Sequence, residues 1–247
     1  MNVSPLSVSV VLVVYNEATT VGDAAEEVCQ SLTGRDFEII IVDDGSTDDS
    51  PRVCDQAATR LSNVRVIHHP TNAGIGAVWR TGLREVKNEI IVFLAGDGQP
   101  IPGSYFERCL PLFESADIVL GSVESQSRPV LSRFFSFAER CVLWFLFPGV
   151  PKIEGPMLFR RSILEGLELH HTTTIERRWI LAIEILVRAV RAGRVYARTT
   201  VRRRPRPAGS SKANTWRNAL WMTLLLLQLR LIILFEPSRR SGGQGDA

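Results

Sequence analysis

Four short segments concentrate the side chains that can hold a cation or a phosphate. They are Tyr15-Asn16-Glu17, Asp43-Asp44-Gly45-Ser46-Thr47-Asp48, Asn72-Ala73-Gly74-Ile75-Gly76 and Ala95-Gly96-Asp97-Gly98-Gln99. Each alone is also what tight turns are made of, because Asp, Asn, Gly and Ser all serve turns. Several acidic clusters in one place ask for more, since gathered carboxylates repel and need a cation or hydrogen-bond donors beside them. A divalent ion carrying a diphosphate meets that need: Mg²⁺ or Mn²⁺ takes one or two carboxylates together with phosphate oxygens. Competing nucleotide signatures fail. There is no GxxxxGK[ST], and Gly74-Ile75-Gly76 leads to Trp79 where a dinucleotide fingerprint has its third glycine.

The elements that must position these clusters read as short β-branched runs alternating with helix-length stretches. Strands are expected at Val8–Val14, Glu38–Val42, Val64–His68, Glu89–Leu94 and Asp117–Leu120, with helices at Ala18–Leu32, Asp48–Leu61 and Gly74–Val86. Asp48 and Asp49 fall where a helix amino terminus favours carboxylates. Such alternation implies an α/β fold with a parallel sheet covered on both faces, and ligands bind at the carboxyl ends of its strands. The four clusters follow the first four strands. Beyond residue 125 the texture changes: Arg133–Phe147 is apolar and aromatic, Thr174–Ala192 reads as a helix, Val195–Val201 as a strand, and Arg202–Lys212 as a basic loop. Ala219–Phe235 is apolar except for Thr223, Gln228 and Arg230.

Composition narrows the class. The 247 residues are 45% apolar and 22% charged, which excludes a disordered chain or a disulfide scaffold and allows one large domain or two small ones. A net charge of +3 is too small to bind nucleic acid by bulk electrostatics. The four cysteines form no CxxC, so a zinc site is not expected and a reducing compartment fits. His68-His69 and His170-His171 are adjacent pairs; neighbours in sequence do not share a face, which argues against a joint metal site. No signal peptide is expected at the amino terminus.

In their order, these segments resemble the family 2 glycosyltransferases of the GT-A fold, most closely the dolichol- or polyprenyl-phosphate sugar synthases. The resemblance runs from Val11–Glu17 through Glu38–Asp48, Asn72–Gly76, Gly96–Gln99 and Arg133–Ser136 to Arg206–Lys212, which is similar to R-x-x-G-x-S-K. It implies a nucleoside pocket lined by Tyr15, Glu17, Asp43 and Asp44, with Gly74 and Gly76 allowing close backbone approach. Arg80 is a further candidate there, though on its helix it could equally face solvent. Asp97 and Gln99 would hold Mg²⁺ or Mn²⁺ on the donor diphosphate, and Arg206, Ser211 and Lys212 would close over phosphates. Two departures stand out: Ala95 occupies the first position of the usual Asp-x-Asp, and Gly121-Ser122 is followed by Val123 where many relatives have arginine. Arg128 or Arg133 could serve the acceptor phosphate instead.

The implied activity is inverting transfer from GDP-mannose or a UDP-sugar to a polyprenyl or dolichyl phosphate. An anionic acceptor needs no general base; an alcohol would need one, and Glu184 or Glu154 is the candidate. A glycosyltransferase acting on a hydroxyl and a catalytically silent nucleotide-sugar-binding partner, suggested by Ala95, are the alternatives. The expected organisation is a GT-A domain over residues 1–212, with a donor half (1–122) and an acceptor half (123–212). An apolar helix at a membrane interface (213–236) and a disordered tail (237–247) would follow. As a helix, the 17 residues Ala219–Phe235 span about 26 Å, short of the ~30 Å hydrocarbon core. Trp216, Trp221, Arg217, Arg239 and Arg240 around it suit peripheral attachment to the cytoplasmic membrane face, with a single membrane span as the alternative. The same helix could instead pack on a second copy of the chain.

Overall fold

The computed structural model describes residues 6–123, 140–165, 180–205 and 216–235, with side chains in the last segment from Thr223 onward. Six of seven strands run parallel: β1 (Val8–Val14), β2 (Phe37–Asp43), β3 (Val64–His68), β4 (Ile90–Ala95), β5 (Ile118–Val123) and β7 (Tyr196–Val201). The seventh, β6 (Met157–Arg160), lies antiparallel between β4 and β5, giving the order β3-β2-β1-β4-β6-β5-β7. The mostly parallel α/β sheet expected from the alternation is present, and β1 and β3 keep their expected bounds. β6 was not anticipated. Its four residues are too short to display a period, yet Met157, Leu158 and Phe159 are all buried.

Helices cover both faces. On one side α1 (Val21–Ser31), α2 (Ser50–Arg60) and α4 (Pro102–Cys109) pack through Val28, Cys54, Ala57 and Phe106 onto Val10, Leu12, Ile39, Ile41 and Val92. On the other, α3 (Ile75–Glu85) and the helix Ile180–Arg191 pack through Val78, Trp79, Leu181 and Ile185 onto Val11, Ile40, Ile91 and Phe159. Alternate residues of β1 and β2 thus serve opposite cores, which is why these strands read as near-continuous apolar runs.

Trp79 stacks on Phe93 of β4 with ring centroids 4.7 Å apart, so the bulk that breaks the dinucleotide fingerprint is a packing residue. One turn later α3 comes close to β1: a Cβ on Gly82 would lie 2.5 Å from Val11 Cγ1. A third cluster joins the helix over 140–146, the helix Ile180–Arg191 and the helix Trp216–Phe235 through Leu146, Phe147, Val187, Leu226 and Leu229. Among the described residues no helix is long and apolar enough to cross a membrane.

Candidate active site

The turns after β1 and β2 are stitched together by hydrogen bonds. Asn16 takes φ +56°, a conformation that asparagine tolerates better than most residues because its short side chain bonds locally. Its Oδ1 accepts the Thr47 N–H at 2.8 Å, and its own N–H donates to Ser46 Oγ at 2.9 Å. Glu17 N–H donates to Ser50 Oγ at 2.8 Å and Ala18 N–H to Asp48 Oδ2 at 3.3 Å. Burial disfavours the charged form of Asp48, yet hydrogen bonds from Ser50 and the Ala18 N–H hold its carboxyl below the ordinary range. Gly45 (φ +66°) lets this turn pass the next one, since a Cβ there would meet the Thr71 carbonyl carbon at 2.5 Å.

Asp43 and Asp44 end β2 almost fully buried, 1% and 3% exposed. Strand alternation sends them to opposite faces, and His68, the last residue of β3, and His69 just beyond it follow them. Asp43 pairs in register with His68, whose Nδ1 lies 2.9 Å from Asp43 Oδ2 and whose Nε2 lies 3.2 Å from Asp55 Oδ1 on α2. His69 Nδ1 donates to Asp44 Oδ1 at 2.9 Å, with Nε2 at 2.9 Å from Thr81 Oγ1 on α3. Asp44 also receives the Ala73 and Gly74 N–H groups, at 2.9 and 2.8 Å, and so anchors the loop that opens α3. The adjacency that argued against a joint histidine metal site therefore gives each aspartate its own imidazole.

Both nitrogens of His68 face carboxylates, which only accept, so the imidazolium satisfies both. Burial works against that charge, but the hydrogen bonds to Asp43 and Asp55 outweigh it and raise the His68 pKa above its ordinary 6.5. A group with a raised folded pKa contributes stability that is complete below about pH 6.5 and is lost as pH rises through the folded value. As pH rises above about 6.5, the denaturation midpoint of the wild type is therefore expected to fall relative to that of His68→Gln. Parallel pH profiles for the two proteins would refute this.

After β4 the chain turns through Gly96-Asp97-Gly98, held by Thr20 Oγ1 donating to the Gly96 carbonyl at 2.7 Å and by Gly96 N–H donating to the Val13 carbonyl at 2.8 Å. Asp97 Oδ1 accepts the Gln99 N–H at 3.1 Å. Gln99 is 7% exposed, and its Oε1 accepts a hydrogen bond from Arg203, whose guanidinium also lies 4.0 Å from Asp97 Oδ2. Among the described residues no group of three or more His, Cys, Asp and Glu could hold a metal. The oxygen set of Asp97 and Gln99 suits a Mg²⁺ or Mn²⁺ ion whose shell phosphate oxygens and water would complete. Gln99 Oε1 accepts from Arg203 with one lone pair and keeps a second.

The structure brings Tyr15, Glu17, Asp43, Asp44, Gly74, Asp97 and Gln99 to one edge of the sheet, with Tyr15 44% exposed there. Gly76 and Arg80 lie buried on α3, so Arg80 does not face solvent. Glu184 is placed inside the protein at 0% exposure, its Oε1 accepting from Arg188 Nε at 2.9 Å. Glu154 accepts from Arg140 at 3.2 Å. Arg128, Arg133, Arg206, Ser211 and Lys212 lie outside the described residues. Sequence reasoning missed Arg203 and the two histidine–aspartate pairs; an Arg-Arg-Arg run at the end of a strand was the available signal for the first.

Residues 9–167 match the family described as Glycosyl transferase family 2. The chain is 37% identical over 123 residues to the undecaprenyl-phosphate 4-deoxy-4-formamido-L-arabinose transferase of Pseudomonas savastanoi pv. phaseolicola, covering 48% of this chain and 36% of that protein. It is 29% identical over 207 residues to the dolichyl-phosphate beta-glucosyltransferase ALG5A of Trichomonas vaginalis, covering 76% and 64%. The match thus takes in less than two thirds of either relative. Among solved structures, glucosyl-3-phosphoglycerate synthase from Mycobacterium tuberculosis in complex with Mn²⁺, UDP and phosphoglyceric acid superposes with a TM-score of 0.67 at 20% identity, covering 91% of this chain and 78% of that one. Mannosyl-3-phosphoglycerate synthase from Rubrobacter xylanophilus gives 0.65 at 15% identity, covering 96% and 78%. These likenesses are of fold. The family match takes in β1 to β4 and every acidic and glycine-rich turn at their ends, and the chain is a family 2 glycosyltransferase of the GT-A fold.

Proposed function

We propose that this glycosyltransferase moves a sugar from a nucleoside-diphosphate donor to a polyprenyl or dolichyl phosphate at the cytoplasmic membrane face. The donor binds along the edge formed by β1 to β4, with the exposed Tyr15 ring available to the base and the Asn72–Gly76 loop beside the nucleotide. A divalent ion held by Asp97 would supply positive charge to the diphosphate as it leaves. The acceptor phosphate oxygen bonds to the anomeric carbon while the bond from that carbon to the diphosphate oxygen breaks, inverting the centre. The acceptor is already anionic, so no side chain has to remove a proton. Arg128, Arg133, Arg206, Ser211 and Lys212 are the candidates for its phosphate.

The observation that carries the acceptor reading is an exposed apolar surface on two helices that share a core. Trp144 and Phe145 on the 140–146 helix are 69% and 77% exposed; Leu231, Leu234 and Phe235 on the last helix are 54%, 54% and 82% exposed. Large apolar groups gathered on a surface suit a lipid interface. Lipid-phosphate transferases among the relatives support the same acceptor. A second reading, transfer to a hydroxyl of a small or envelope acceptor, is supported by the fold neighbours captured with phosphoglyceric acid.

The test is donor turnover by purified protein in detergent, using GDP-mannose and a UDP-sugar panel with Mg²⁺ or Mn²⁺, with and without a short polyprenyl phosphate. Sugar is expected on the lipid phosphate. Transfer to phosphoglycerate or another hydroxyl acceptor, with none to lipid phosphate, would overturn the lipid reading.

A further inference from the structure

The run Arg202-Arg203-Arg204 is tied by its backbone to the turn that carries Asp97. Pro100 and Arg203 form an antiparallel bridge, and Arg204 N–H donates to the Gln99 carbonyl at 2.9 Å. The Arg204 guanidinium grips both Glu27 carboxylate oxygens at 2.9 and 3.0 Å and reaches the Gly98 and Pro100 carbonyls at 3.3 Å. Arg202 N–H donates to Ser104 Oγ at 3.0 Å. The Arg203 side chain therefore projects from a fixed point, onto Gln99 Oε1 and toward Asp97 Oδ2. It is 43% exposed, and only one of the guanidinium's five N–H donors is used on Gln99.

We propose that Arg203 is a resident cation of the donor site that binds the diphosphate directly, so that nucleoside diphosphates bind this chain without a divalent ion. The inference rests on the donor reading above. Ala95 withdraws one carboxylate from the turn where the related motif has two acids, leaving Asp97 and Arg203 as a pair with no net charge. A guanidinium about 4 Å from the remaining carboxylate repels a divalent ion bound there and attracts a diphosphate. Arginine is also suited to the task by shape, because its planar fork meets two phosphate oxygens at once. Held in place before the donor arrives, the charge stabilises the departing nucleoside diphosphate in the displacement already described; no additional bond is made or broken.

The experiment is calorimetric titration of UDP and of GDP into the full chain, first in EDTA and then with Mn²⁺. One of the two nucleotides is expected to bind in EDTA, with Mn²⁺ tightening it by less than about tenfold. Arg203→Ala should weaken binding in EDTA roughly 10- to 100-fold, with Mn²⁺ restoring most of it. Arg203→Gln, which keeps a donor for the Gln99 amide oxygen but no charge, should behave like Arg203→Ala, and Arg203→Lys should recover part of the loss. Circular dichroism and melting curves establish that each variant folds. If wild-type binding requires Mn²⁺ and Arg203→Ala leaves it unchanged, the inference is overturned while the donor reading stands. If Arg203→Gln binds in EDTA as well as wild type, the residue is only a structural tie, and the inference falls. If neither nucleotide binds with or without Mn²⁺, the donor reading itself fails and this inference with it.

Discussion

Asp97→Asn is expected to lower kcat/KM for sugar transfer by about 100- to 1,000-fold while leaving the melting point nearly unchanged. The side chain is 13% exposed and its Oδ1 accepts the Gln99 N–H, a bond an amide oxygen reproduces. The turn should therefore keep its shape, and what is lost is charge. In the proposed donor site that charge has two uses: it would hold a divalent ion on the diphosphate, and it steadies the Arg203 guanidinium 4.0 Å away. Both act where negative charge builds up on the leaving group, so the loss should fall on kcat more than on KM. Transfer within tenfold of wild type by a folded Asp97→Asn protein would place the chemistry elsewhere.

Asp44→Ala has the largest expected effect on stability. The residue is 3% exposed, and its carboxylate receives the Ala73 N–H, the Gly74 N–H and His69 Nδ1, each within 2.9 Å. Alanine strands all three donors where water has little access, and a buried unsatisfied donor costs about 1–3 kcal/mol. A loss of about 3–5 kcal/mol follows, or a melting point lowered by roughly 10 °C in a chain of this size. Asp44→Asn, which retains one acceptor oxygen, should lose less. Equal stability for Asp44→Ala and wild type would mean the 72–74 loop does not depend on this anchor. The prediction also separates the two neighbours: Asp43 accepts the Ser46 N–H and faces His68 on the α2 side, so its loss loosens a different turn.

How much of this was legible in the sequence depended on the range of the interaction. β1 could be delimited because a strand buried on both faces announces itself by composition, and Val8–Val14 is apolar at every position but Ser9; β3, a half-exposed edge strand, was legible from its β-branched run Val64–Ile67. The four turns could be placed because ligand-binding loops follow such strands, and Asp44 and Asp97 were candidates from residue type alone. β6 was out of reach: Met-Leu-Phe-Arg becomes a strand only because β4 and β5 lie on either side of it. The same holds for Arg203, which meets Gln99 from more than a hundred positions away. Its partners are set by the parallel pairing of β5 with β7, which no local pattern encodes. The partners of His68 and His69 sit at the end of another strand, and only the β2–β3 register reveals them.

Because β6 runs against its neighbours, the polypeptide leaves the sheet after Val123 and rejoins it before Met157 on the same edge. The two crossings form a closed neck. Gly121 N–H donates to the Pro156 carbonyl at 2.8 Å, a Cβ on Gly155 would sit 2.4 Å from the Gly121 oxygen, and one on Gly121 would sit 2.8 Å from Pro156 Cγ. Whatever hangs from such a neck is a cassette: its length adds little to the entropy of closing it. Its described part is nevertheless built in: Leu146 and Phe147 pack on the helices Ile180–Arg191 and Trp216–Phe235, and Val150 and Ile153 pack on the core beneath β1, β2 and β4. An exchanged insert therefore has to bring the same apolar face to those helices, while the neck itself sets no limit on its length.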